Sequence, residues 1–210
     1  MRYFANPSTA RVREAMTAGR LGLIATPRQG NRHLPGVTWC ADTGCYGRGY
    51  PGDERWLAWL ARLSEHAPQC AFALAPDVPG DAAATLARSR PWLAAIRDLG
   101  YPAGYAAQDG QEHLPVPWDE CDVLFLAGST EWKLGPHARR LAAEALGRGK
   151  TVHMGRVNSL RRLHYAQQIG CSSVDGTYLT FAPDTNLPIL LRWLDTLHAS
   201  AAPTPTGAPR

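Results

Sequence analysis

Residues 151–177 read TVHMGRVNSLRRLHYAQQIGCSSVDGT. Val152 and Met154 mark a short apolar strand, and Arg156, Asn158 and Ser159 a polar turn. Leu160, Leu163, Ala166 and Ile169 then recur at helical spacing, Gly170 stops the helix, and a second short strand carries Asp175 at its end. Strand, helix and strand within about 25 residues predict a βαβ unit with parallel pairing, since the helix returns the chain to the edge it left. An acid followed at once by Gly176 and Thr177, where a strand runs out, lies where α/β folds gather reactive groups.

The same alternation extends upstream. Strands are predicted at Arg2 to Ala5, Leu21 to Ala25, Val37 to Ala41, Cys70 to Ala75, Pro102 to Ala107 and Asp122 to Ala127. Between them, Ser8 caps a helix to about Gly19, and helices run from Asp53 to His66, Asp81 to Leu99 and Gly135 to Gly147. Asn186 to His198 closes the chain with an amphipathic helix. Eight βα units in about 200 residues is the lower size limit of a (β/α)8 barrel. The alternative, an open doubly wound sheet, has no motif behind it, since neither GxGxxG nor a P-loop follows any strand. The sequence therefore predicts an α/β protein, a compact (β/α)8 TIM barrel over residues 1–198. The tail 199–210, rich in Ala, Pro and Thr, is expected to be disordered.

Composition narrows the function only loosely. A hydrophobic content of 45% and a charged content of 19% describe an ordinary globular protein, and the net charge of +4 permits a polyanionic partner without demanding one. No apolar run approaches the ~20 residues of a membrane helix, and the N-terminus lacks a signal-peptide core. Five cysteines, odd in number and without framework spacing, point to reduced thiols and a cytoplasmic location. Cys40 and Cys45 have no companions at metal-ligand spacing, so neither metal nor cofactor is expected.

Asp42, Asp77, Gln108, Gly128-Ser129, Arg156-Asn158 and Asp175 each fall just past the end of a different predicted strand. One such acid is bland, because strands end in polar turns: Asp77 before Val78-Pro79-Gly80 and Gln108-Asp109-Gly110 both read as turn sequences. Several at successive strand ends converge on one mouth if the strands close into a barrel.

In order along the chain, these residues resemble the tRNA-guanine transglycosylase superfamily. Asp42-Thr43-Gly44-Cys45-Tyr46 resembles that family's Asp-Ser-Gly-Gly-aromatic motif. Asp77, Gln108 and Gly128 fall where the family places its base-recognition acid, its Gln and its glycine turn, Met154-Gly155 resembles its Met-Gly pair, and Asp175 falls at its nucleophile. The resemblance covers roughly Leu21 to Asp175. No Cys follows Cys171, so the zinc subdomain of the tRNA enzymes is missing. In compactness, and in Ala-Gln-Asp-Gly (107–110) and Ser-Val-Asp-Gly-Thr (173–177), the chain is more similar to the short phage-type and bacterial members associated with inserting deazapurines into DNA.

The resemblance implies exchange of guanine for a 7-deazaguanine base (preQ0-like). Asp175 would be the nucleophile capturing C1′, with Gly176 giving the backbone freedom to approach the sugar, and Asp42 the acid–base group. Asp77 and Gln108 would read the purine edge, backbone N–H groups at Gly128 and Ser129 would hold O6, and Tyr46 and Met154, beside Gly155, would sandwich the ring, the alternative for Met154 being a place in the core of its apolar strand. Arg28, Arg32, Arg48, Lys133, Arg156, Asn158 and Arg161 would rim the mouth against phosphates, and Trp132 would either stack on a flanking base or cover the barrel rim. The partners implied are nucleic acid, DNA before tRNA, reached by base flipping or as a single strand, and the free base. A homodimer or accessory modification proteins remain open. The alternatives are the same exchange on tRNA, or a barrel that binds nucleobases or hydrolyses N-glycosides.

Overall fold

A computed structural model describes residues 1–30, 33–47 and 49–201. Arg32, Arg48 and residues 202–210 of the expected tail lie outside these. The strands are β1 (Arg2–Ala5), β2 (Gly22–Ala25), β3 (Trp39–Ala41), β4 (Cys70–Leu74), β5 (Ala103–Ala107), β6 (Val123–Leu126), β7 (Thr151–Met154) and β8 (Ser173–Asp175). Each pairs in parallel with the next, and β8 returns to β1 through Arg2↔Ser173, Tyr3↔Val174 and Phe4↔Asp175, closing the barrel. The expected (β/α)8 architecture is the observed one.

The helices are α1 (Ala10–Thr17), α2 (Asp53–Ala61), α3 (Ala82–Asp98), α4 (Thr130–Lys133), α5 (Pro136–Gly147), α6 (Leu160–Gln168) and α7 (Pro183–Ala201). Their starts follow capping chemistry: Asp81 Oδ1 accepts from Ala84 N at 2.9 Å and Ser159 Oγ from Arg162 N at 3.3 Å. The first helix is capped by Thr9 rather than Ser8, with Thr9 Oγ1 accepting from Val12 N at 3.4 Å. The helix expected from Asp53 to His66 breaks after Ala61 and resumes as a 3₁₀ turn over Ser64–Gln69, which contains Pro68. The short α4 is absent from the sequence prediction, and α7 begins earlier than predicted and runs on through Ala199 to Ala201.

Strand alternation sorts the side chains into two apolar layers. Tyr3, Leu23, Trp39, Ala73, Tyr105, Leu124, Val152, Met154 and Val174 point outward and form the main core with the helices. Phe4, Cys40, Phe72, Leu74, Ala106, Val123 and Phe125 point inward and fill the lumen. Gly104 makes room there, since a Cβ on it would lie 3.2 Å from the Phe72 ring. The C-terminal strand ends are left as a shallow, partly polar bowl above this aromatic plug.

Candidate active site

The bowl holds a cavity of about 210 Å³. Asp42 enters it directly after β3, Asp77 past β4, Gln108 directly after β5, Gly155 and Arg156 after β7, and Asp175 as the last residue of β8. Residues spread over most of the chain are thus brought to one place by closure of the sheet.

Asp175 is held from two sides. Its Oδ2 lies 2.9 Å from Nε2 of His153, and its Oδ1 accepts from the Arg156 backbone N–H at 3.2 Å. His153 is fully buried, and its Nδ1 lies 2.8 Å from Ser173 Oγ. The ring packs against Phe72 and Phe125 at centroid distances of 4.9 and 4.5 Å. His153 was missed as a site residue. The signal was parity: Val152 and Met154 flank it on the opposite face of β7, and Ser173 and Asp175 stand two apart on β8, so all three polar groups face the lumen.

Asp42 sits half-buried on the far wall, its Oδ1 accepting from Gly44 N at 2.7 Å. Burial pushes its carboxyl up to about 7, with the charges of Asp175 and Asp77 adding to the rise against the Gly44 N–H. Asp42 therefore holds a proton part of the time near neutrality. Asp77 and Gln108 are buried together: Gln108 Nε2 donates to Asp77 Oδ2 at 2.7 Å, and Gln108 Oε1 accepts from Gly80 N at 3.1 Å. Burial also raises the Asp77 carboxyl. Both residues line the cavity, and Gln108 orients Asp77 through this contact.

Over the mouth, Arg156 crosses from β7 to the β6 loop. Its Nη2 donates to Ala127 O at 2.6 Å and to Gly128 O, and its guanidinium lies 4.5 Å from the ring centroid of Tyr46. Arg156 takes a positive φ of 60°, a conformation few L-residues adopt. Tyr46 is 71% exposed and lines the cavity from above. Arg28 and Arg161 are exposed, and neither lines the cavity. Asn158 turns inward to the chain: its Oδ1 accepts from Thr177 N at 2.7 Å and its Nδ2 donates to Thr177 Oγ1 at 3.0 Å, tying the β7 and β8 loops together.

Several expected roles are corrected. Met154 is buried in the layer between barrel and helices, on the opposite strand face from the cavity, and cannot clamp a ring; Phe125 lines the cavity instead. Lys133 is no phosphate anchor. It is only 3% exposed, and its Nζ donates to Gly155 O at 2.5 Å. Burial lowers its ammonium to about 7, with Arg156 adding repulsion. The N–H groups of Gly128 and Ser129 are already paired, with Ala107 O at 3.1 Å and Asp109 Oδ2 at 2.6 Å, so they do not form an oxygen hole; both residues border a neighbouring hollow beyond Arg156. Trp132 is buried and donates its Nε1–H to Glu112 at 2.7 Å, which removes it as a stacking platform. Gly176 serves close packing rather than backbone freedom, because a Cβ there would lie 2.5 Å from Val157 O and collide with Tyr3 and Asn158. Gly155 is likewise a matter of space: its Cβ would lie 2.7 Å from Phe125 and 3.3 Å from Asp175 Oδ2.

Among the described residues, no group of three or more His, Cys, Asp and Glu side chains is disposed to hold a metal ion. No helix among them is long and apolar enough to cross a membrane.

No family model and no curated protein matches the chain. Among solved structures, phosphoribosyl anthranilate isomerase from Thermus thermophilus is similar, with a TM-score of 0.56 at 18% identity over 94% of this chain and 100% of that one. The Bacillus subtilis YkuI protein, with an EAL domain and in complex with c-di-GMP and calcium, gives 0.41 at 14% identity over 80% of this chain and 45% of that one. The GH113 β-mannanase of Alicyclobacillus acidocaldarius gives 0.38 at 13% identity over 73% and 68%. The likeness to the isomerase is one of fold, the (β/α)8 barrel.

Proposed function

We propose that the chain is a glycosyl-transferring enzyme that exchanges guanine in nucleic acid, DNA in the first instance, for a 7-deazaguanine base. The observation that supports this reading is that Asp42 and Asp175 share one cavity whose remaining polar wall is the buried Asp77–Gln108 pair. At about 210 Å³ the cavity is smaller than the ~300–1,000 Å³ of pockets for drug-sized ligands, so it suits one flat heterocycle rather than a whole nucleotide. The target base would have to leave its stack to enter.

In this reading Asp175 attacks C1′, and the pair of electrons in the bond to N9 leaves with guanine. Asp42, protonated part of the time near pH 7, gives its proton to the departing base. The incoming base returns a proton to Asp42 as its N9 displaces Asp175, so configuration is retained and the enzyme is regenerated. Asp77, raised by burial and oriented by Gln108, accepts from the purine N–H edge. Phe125 below and Tyr46 above supply the apolar faces.

The preference for DNA rests on the resemblance of the chain to short, zinc-free members of the transglycosylase superfamily. The test is base exchange: labelled guanine is incubated with the protein and duplex DNA, single-stranded DNA or tRNA, beside Asp175→Ala. Label entering DNA, and lost in the variant, is the expected result. Label entering tRNA alone would keep the chemistry and overturn the substrate. Release of guanine without incorporation would replace exchange by hydrolysis.

A further inference from the structure

We infer that His153 is a positioning residue for Asp175, one that turns Oδ2 into the barrel and leaves Oδ1 to form the bond to C1′; this rests on the reading of Asp175 as nucleophile. A carboxylate cannot donate, so at 2.9 Å the hydrogen between the two must sit on Nε2 of His153. The other ring nitrogen faces Ser173 Oγ at 2.8 Å, which fixes the ring plane. Ser173 and Asp175 are two apart on β8, and His153 is the direct register partner of Ser173, so backbone pairing places both contacts. The lumen leaves the ring nowhere else to turn: Phe4, Phe72 and Phe125 surround it at centroid distances of 6.0, 4.9 and 4.5 Å. On the loop side, Oδ1 meets the longer contact from Arg156 N, at 3.2 Å.

The two oxygens then have different fates. A lone pair on Oδ1 forms the bond to C1′ while the bond to N9 breaks and Asp42 protonates the base. Oδ2 becomes the carbonyl oxygen of the ester and keeps the hydrogen bond from His153. No proton leaves the imidazole in either half of the exchange, so its contribution is placement.

The test compares His153→Gln, whose amide can still donate toward Asp175, with His153→Phe, which keeps ring volume in an aromatic lumen and loses the donor. Near-UV circular dichroism first verifies that each is folded. The readouts are the single-turnover rate of covalent protein–DNA adduct formation and the Kd of labelled guanine. His153→Phe is expected to slow adduct formation about 100-fold with the Kd unchanged, and His153→Gln to recover most of that loss. A Phe variant that forms adduct at the wild-type rate, or a Gln variant as slow as Phe, overturns the inference. Imidazole 15N NMR of the wild type provides a readout independent of turnover: the proton on Nε2, with its signal shifted in Asp175→Asn, supports the placement, and a proton on Nδ1 alone overturns it. If wild-type protein forms no adduct with any nucleic acid, the proposed function fails, and the NMR result alone decides whether His153 holds Asp175.

Discussion

The carboxyl of Asp42 connects stability to chemistry, and it can be tested without knowing the substrate. Burial beside Asp175 and Asp77 raises it from 3.8 to about 7. A carboxyl with a raised folded pKa favours the native state in its protonated form. Its contribution is fully present below the unfolded pKa and is lost as pH climbs through the folded one. Over that window the ceiling is about 4 kcal/mol, from roughly three units at 1.36 kcal/mol each. Asp42→Asn removes the titration while keeping the size of the side chain and an acceptor for Gly44 N. Urea unfolding of wild type and variant at intervals from pH 4 to pH 8 gives the difference in stability at each pH, in which the titration of Lys133 largely cancels. The wild type is expected to lose ground to the variant steadily between about pH 4 and pH 7, by at least about 1 kcal/mol, and to hold level above. A flat difference would refute the raised carboxyl of Asp42 and with it the acid–base role.

Three further outcomes follow from the packing. Met154→Ala leaves a void between barrel and helices and is expected to cost about 2–5 kcal/mol in urea unfolding, with guanine binding unchanged at temperatures where the variant is folded. Gly155→Ala drives a Cβ to within 2.7 Å of Phe125 and is expected to cost about 1–3 kcal/mol and to abolish base binding, read by melting and by equilibrium dialysis. Lys133, lowered to about 7 by burial, disfavours its own protonated form in the fold, so the stability of wild type relative to Lys133→Met should rise as pH goes from about 7 to about 10. A difference that stays flat over that range would contradict a buried Lys133.

The strand and helix elements were legible because their signals are local. Leu160, Leu163 and Ala166 recur at helical spacing, and Gly170 stops the helix. The count and order of units sufficed for the barrel, and the strand-end position of Asp42, Asp77, Gln108 and Asp175 sufficed to gather them. Lys133 and Trp132 were misplaced for want of α4, a four-residue helix too short to leave a periodic trace, which folds both side chains inward.

What the sequence by itself determined was the alternation of βα units and the set of polar residues at their ends. What only closure of the sheet decided was which face of each strand looks into the site. In a (β/α)8 barrel both faces are buried, one against helices and one in the lumen, so hydrophobicity marks neither. Met154 and His153 are neighbours on β7 and both are buried, yet Met154 joins the helix layer and His153 reaches Asp175. That choice depends on which side of the sheet is concave, a property of all eight strands together and of no single stretch of chain.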